Sequence, residues 1–132
     1  MDLKDRCRQV ISAWNTKDID ALKVIYAQKA IFFDPMVGKE ITGDFIIQYA
    51  QSIFLAFPDL RFNIQDMAAG QDVVMTQWVQ CGTNTGSIMG NPATGRYIEI
   101  PAVSVIRFRK DRLLSHHDYW DMVFFLKGLG FM

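Results

Sequence analysis

"RYIEIPAVSVIRFRKDRLLSHHDYWD", residues 96–121, decides the fold. Ile98, Ile100, Ala102, Ser104, Ile106 and Phe108 recur at every second position. Tyr97, Glu99, Arg107 and Arg109 fall on the opposite side, together with Pro101, Val103 and Val105. A period of two predicts a strand over 96–109 with one face buried. "RKDR" turns the chain, and residues 112–120 return as a second strand. Asp121 then stands where an N-cap belongs, before a short final helix, "MVFFLKGLG". A long hairpin with one apolar face needs a cover.

The cover is written upstream. Leu3, Cys7, Val10, Ile11 and Trp14 share one face of a predicted helix over 2–16. "KDIDAL" restarts a helix at Asp18, with Ile19, Leu22, Ile25 and Tyr26 following at helical spacing. Residues 30–34 are short, apolar and aromatic, which predicts a strand, and "MVGKEITG" reads as a loop. A third helix spans 43–57 and stops at Pro58-Asp59. Residues 60–69 and 72–83 are strands around a "GQD" turn, and "GNPATGR" is another turn. Helices first and antiparallel strands afterwards predict an α+β domain, a curved sheet wrapped around N-terminal helices with an apolar cavity at its mouth.

Bulk properties narrow the function. The chain has 132 residues, which suits one domain over 1–132. Half of them are hydrophobic, enough for a real core. Lys plus Arg is 14 and Asp plus Glu is 14, without blocks of like charge. Neither nucleic acid nor an anionic membrane has an electrostatic footprint here. Cys7 and Cys81 form no CxxC pair and no zinc-spaced cluster, so neither a metal nor another cofactor is expected. "MDLKDRCRQV" has no signal-type apolar core, and no apolar stretch is long enough to span a bilayer. A cytoplasmic location is the expectation.

Two acidic positions draw attention. "AIFFDPMVG", residues 30–38, aims an apolar strand inward and ends it in Asp34. One reading is an Asp-Pro turn whose side chain bonds its own backbone. The other is a pocket carboxylate, whose pKa would rise as it loses hydration. In "SHHDYWD", His116, Asp118 and Trp120 share one strand face, and His117, Tyr119 and Asp121 share the other. Adjacent histidines therefore cannot both line one pocket, and a partly exposed strand histidine is the ordinary expectation for each. Trp14, Trp78, Trp120, Phe54 and Met89 are candidates for walling a flat apolar ligand.

Taken together, "NTKDIDAL", "FFDP", "FPDLRFNIQD", "CGTNTGSIMGNPATGR" and "DYWDMVFFLKGLG" resemble the nuclear transport factor 2-like superfamily. Within it they resemble the SnoaL-like polyketide cyclase and ketosteroid isomerase-like branch. The resemblance implies a cone-shaped α+β domain with a deep hydrophobic pocket, dimerised through the sheet's outer face. It implies Asp34 as a general base, in a "DP" context sixteen residues beyond Asp18. The isomerase's oxyanion donors fall at Val10 and Ser104, where valine donates nothing and serine is weaker. The cyclase acid/base aspartate falls at Asp118 or Asp121, with Asp118 favoured because it is still on the strand. The cyclase histidine and glutamine fall at Ser104 and Ala102, and His116 is a further assisting candidate. Epoxide hydrolysis of the limonene type is disfavoured, because "TQWVQ", residues 76–80, holds no acid. The expected activity is proton transfer beside the carbonyl of a small cyclic or polyketide-like compound, ending in isomerisation or aldol-type closure. The alternative is a non-catalytic domain that binds a hydrophobic ligand.

Overall fold

Short acidic caps start three of the four helices. Asp2 accepts a hydrogen bond from the Lys4 amide and opens α1 (Leu3–Asn15). Asp18 accepts from Ala21 and opens α2 (Ile19–Ile25). Each cap satisfies an amide that the helix itself leaves unpaired. Gly43, at φ 57°, turns the chain into α3 (Asp44–Ala56). Asp121 accepts from Phe124 at 3.0 Å and opens α4 (Met122–Leu129). The computed structural model describes residues 2–27 and 29–132.

The strands are β1 (Ile31–Phe33), β2 (Ile41–Thr42), β3 (Arg61–Ala69), β4 (Val73–Thr83), β5 (Tyr97–Arg109) and β6 (Arg112–Trp120). They form one sheet in the order β2-β1-β6-β5-β4-β3. β3 to β6 make the expected antiparallel run. The other end of the sheet departs from expectation. β1 pairs parallel with β6, Phe32 opposite His116, and the predicted loop contributes β2 as an edge. No local pattern encodes a pairing across so many residues of chain.

β5 alternates buried and exposed along nearly its whole length. Its inward face meets the helices, where Val10, Ile11 and Trp14 of α1 and Ile46, Ala50 and Ile53 of α3 are buried with Ile98, Ile100 and Ile106. The long connection between β4 and β5 is organised by one side chain, Asn84, which is wholly buried. Its Nδ2 donates to the carbonyls of Ala56 and Gly86, and its Oδ1 accepts from the Thr94 amide and hydroxyl. This full use of an amide fixes the loop to the end of α3.

Gly86 lies against that helix end. A Cβ there would be driven into the Leu55 carbonyl oxygen and would sit 3.2 Å from the Ala56 Cα. Both obstacles are backbone, so neither can swing away. Gly86→Ala is expected to lower stability by at least about 2 kcal/mol, read as a lowered urea midpoint. An unchanged midpoint would mean that the loop does not depend on this close approach.

Candidate functional site

The parallel register of β1 on β6 builds the site. Phe32 lies opposite His116 and Phe33 opposite His117. Carried one residue further, the register sets Asp34 beside Asp118. Both side chains line one narrow cleft of about 390 Å³, open solvent at its mouth included. Its apolar wall comes from Ile11, Trp14, Phe32, Ile53, Leu60 and Phe62. Asp34, Tyr49, Gln80, Ser104, His116 and Asp118 supply its polar atoms.

Asp34 satisfies both readings of its sequence context. It is only 4% exposed and faces the cleft. Its Oδ1 also accepts from the Met36 amide at 2.9 Å, the turn bond that Asp-Pro predicts. The Tyr49 hydroxyl donates to the same oxygen at 3.0 Å, and the Trp120 indole donates to Oδ2 at 3.1 Å. Burial pushes its pKa up to about 7, and the neighbouring Asp118 charge pushes the same way. The Met36, Trp120 and Tyr49 donors oppose the shift without cancelling it. Burial raises the Tyr49 hydroxyl well above its ordinary range, with the Asp34 charge adding to it, so Tyr49 remains a donor.

Asp118 is 6% exposed and ends a buried chain of donors. An indole N–H only donates, so Trp14 Nε1 gives its proton to the Tyr26 oxygen at 2.9 Å. The Tyr26 hydroxyl then donates to His116 Nδ1 at 2.6 Å. That bond leaves the ring proton on His116 Nε2, which donates to Asp118 Oδ1 at 2.7 Å. From the other side, Trp78 Nε1 donates to Ser104 Oγ at 2.7 Å, and Ser104 donates to Asp118 Oδ1 at 2.6 Å. Asp118 Oδ2 takes no hydrogen bond from the described residues. Burial and the Asp118 charge raise the Tyr26 pKa well above the ordinary value, and the Trp14 bond only partly opposes them.

His116 is buried, not partly exposed, because Phe32 and Tyr26 enclose its ring. His117 points away and bonds Glu40 at 2.9 Å. Trp14, Trp78, Ser104, His116, Asp34 and Asp118 thus line one cleft, and Trp120 reaches it through Asp34. Asp121 does not line it: its carboxylate is committed to capping α4. Met89 is 45% exposed in the β4–β5 connection, held at φ 51° by the tight Ile88–Asn91 bridge. Phe54 packs edge-on against Trp14 outside the cleft lining. Ala102 is buried between Trp78 and Trp120 in register, and its methyl group does not extend into the cleft. Sequence reasoning missed Tyr26, Tyr49 and Gln80 as polar site residues. The strand alternation that places Trp78 inward places Gln80 inward too. Among the described residues, no group of three His, Cys, Asp or Glu side chains is placed to hold a metal ion.

A family model described as SnoaL-like polyketide cyclase matches residues 4–129. IdmH of Streptomyces antibioticus, a candidate polyketide cyclase, superposes with a TM-score of 0.85 at 27% identity, covering 98% of this chain and 99% of its own. AclR of Streptomyces galilaeus, a candidate hydroxylase, superposes at 0.84 with 23% identity, covering 98% and 85%. A protein of Catenulispora acidiphila with a ketosteroid isomerase-like fold, solved with trimethylamine, superposes at 0.80 with 19% identity over 96% and 93%. The last two likenesses concern the fold alone. No protein with a curated description matches the sequence significantly.

The raised Asp34 pKa has a stability consequence. Below pH about 4 the folded and unfolded chains both hold this proton. Between about 4 and 7 only the folded chain holds it, so this group lowers stability as pH rises, by about 1.4 kcal/mol per unit. Asp34→Asn removes the titration. The variant is expected to gain stability relative to wild type between pH 4.5 and pH 8, by a few kcal/mol in urea unfolding. A difference that does not change with pH would place the Asp34 pKa at its ordinary value.

Proposed function

The chain belongs to the SnoaL-like polyketide cyclase family, and from that membership and the cleft we infer an enzyme that moves a proton beside a carbonyl group. One observation carries the reading: two buried carboxylates share an apolar cleft, and Asp34 is raised to about 7. A base of that strength is half ionised near neutrality and accepts a proton from a carbon acid better than an ordinary aspartate does.

In the proposed step, Asp34 takes a proton from the carbon next to a substrate carbonyl. The C–H electron pair moves into the C–C–O unit and forms an enolate. Returning the proton to a different carbon isomerises the substrate. If the enolate carbon instead attacks a second carbonyl of the same molecule, a C–C bond closes a ring. The new alkoxide then takes that proton back from Asp34, which restores the carboxylate. Asp118 is the partner group: its charge tunes Asp34, and it lines the same cleft. His116 and Ser104 are positioning residues, since both donate to Asp118. The apolar walls favour a cyclic or polyketide-like compound over a charged one.

A non-catalytic ligand-binding domain is the second reading, and one observation favours it. Ser104 commits its proton to Asp118, and Val10 is buried in the core, so neither of those positions donates to a ligand. Self-association is also part of the proposal: Met75, Val103 and Tyr119 expose apolar surface on the outer side of the sheet. Both cysteines are free, in keeping with a reducing, cytoplasmic setting.

Deuterium exchange at the α-carbons of 2-tetralone, an enolisable ring ketone, tests the catalytic reading. The wild type is expected to accelerate exchange, and Asp34→Asn to lose about 100-fold or more of it. The wild-type rate should rise about tenfold per pH unit below pH about 7 and level off above, since the ionised form is the base. Tight ketone binding with no exchange would favour the ligand-binding domain instead. Exchange that survives Asp34→Asn would move the base to another residue.

A further inference from the structure

Gln80 is 9% exposed, lines the cleft from β4, and its Nε2 has no hydrogen-bond partner. It is the one buried side-chain nitrogen or oxygen among the described residues left in that state. A buried amide donor without a partner is costly, and folded chains rarely keep one without a use. The neighbouring donors in the cleft are all committed. Tyr49 donates to Asp34, Ser104 and His116 donate to Asp118, Trp78 donates to Ser104 and Trp14 donates to Tyr26. What the cleft still offers an incoming oxygen is therefore the Gln80 amide.

We propose that Gln80 binds the carbonyl oxygen of the substrate and holds that oxygen as it becomes an enolate. The ligand class follows from the surroundings. It has an apolar ring body, for Ile11, Ile53, Leu60 and Phe62, and an oxygen acceptor directed at β4. The Nε2–H bond strengthens as negative charge develops on that oxygen, which is what an oxyanion donor must do. No atom is transferred by Gln80: the proton goes to Asp34 and the electron pair to the oxygen that Gln80 holds. The binding half of this inference stands alone, and the enolate half rests on the proton-transfer reading.

Binding of 2-naphthol, an aromatic enol, and of naphthalene, its oxygen-free counterpart, measured by calorimetry on the whole chain, tests it. The wild type should prefer 2-naphthol. Gln80→Met, unbranched and of similar length, should reduce that preference about tenfold and leave naphthalene affinity unchanged. Its melting temperature should equal or exceed that of the wild type, because an unpaired buried amide is removed. Gln80→Leu gives the same readout where Gln80→Met does not fold. A preference that survives either substitution, a wild type without the preference, or failure of both variants to fold would overturn the proposal. The 2-tetralone exchange separates the two ideas. Naphthol preference that depends on Gln80, without wild-type exchange, leaves Gln80 as a binding residue and removes the enzyme. Wild-type exchange with a preference indifferent to Gln80 does the reverse. If both hold, Gln80→Met should also slow exchange about 100-fold.

Discussion

A three-residue parallel pairing, Ile31 to Phe33 against Ser115 to His117, governs the rest of the site. Strand register is all or nothing for side-chain direction, since a slip of one residue turns every side chain to the opposite face. In the observed register Phe32 enters the core, stacks on Trp14 at 5.6 Å and closes on His116 at 5.0 Å. Asp34 then follows into the cleft beside Asp118. A slip of β1 would present Phe33 to the interior and leave Asp34 outside. The aromatic fit of Phe32 is thus what fixes the direction of a carboxylate two residues along the chain.

Burying two carboxylates together works against folding, and the surrounding donors show how the chain tolerates it. Asp118 receives two short bonds on one oxygen, from His116 and Ser104, each held in turn by Tyr26 or Trp78. Every proton in that chain points toward Asp118, so the charge is met by a string of aligned dipoles. Asp34 has three donors of its own, yet burial and the second charge prevail. The result is an asymmetric pair: one carboxylate receives two short donors on a single oxygen, the other is held near half-ionisation. Such division of roles between two like groups is how a single cleft can provide both a charge and a proton acceptor.

Much of this was legible in the sequence, and the remainder fails to be for physical reasons. Period-two alternation over 97–109 and the capping aspartates are local signals, so the strands and helices could be read directly. Asp34 could be singled out because an apolar run ends in it, and the opposed directions of His116 and His117 follow from strand geometry alone. The β1–β6 pairing could not be read, since it joins neighbours in the sheet that most of the chain separates in sequence. Tyr26 looked like one more apolar position on α2, and only the fold reveals that its hydroxyl meets His116. Asp121 could be a cap or a site residue by sequence, and the chain resolves the choice by satisfying the first amides of α4. Gln80 was missed, although the alternation that turns Trp78 inward also turns Gln80 inward; its missing partner is a property of the packed interior.

The three indoles offer a last consequence. The chain has three tryptophans, and each places its N–H within the network: Trp14 on Tyr26, Trp78 on Ser104 and Trp120 on Asp34. None lies idle on the surface. The tryptophan fluorescence of this protein therefore arises wholly from indoles tied to the carboxylate pair: Trp120 directly, Trp78 through Ser104, and Trp14 through Tyr26 and His116. An optical signal that in most proteins averages over unrelated surroundings is here a native gauge of the cleft's charge and occupancy.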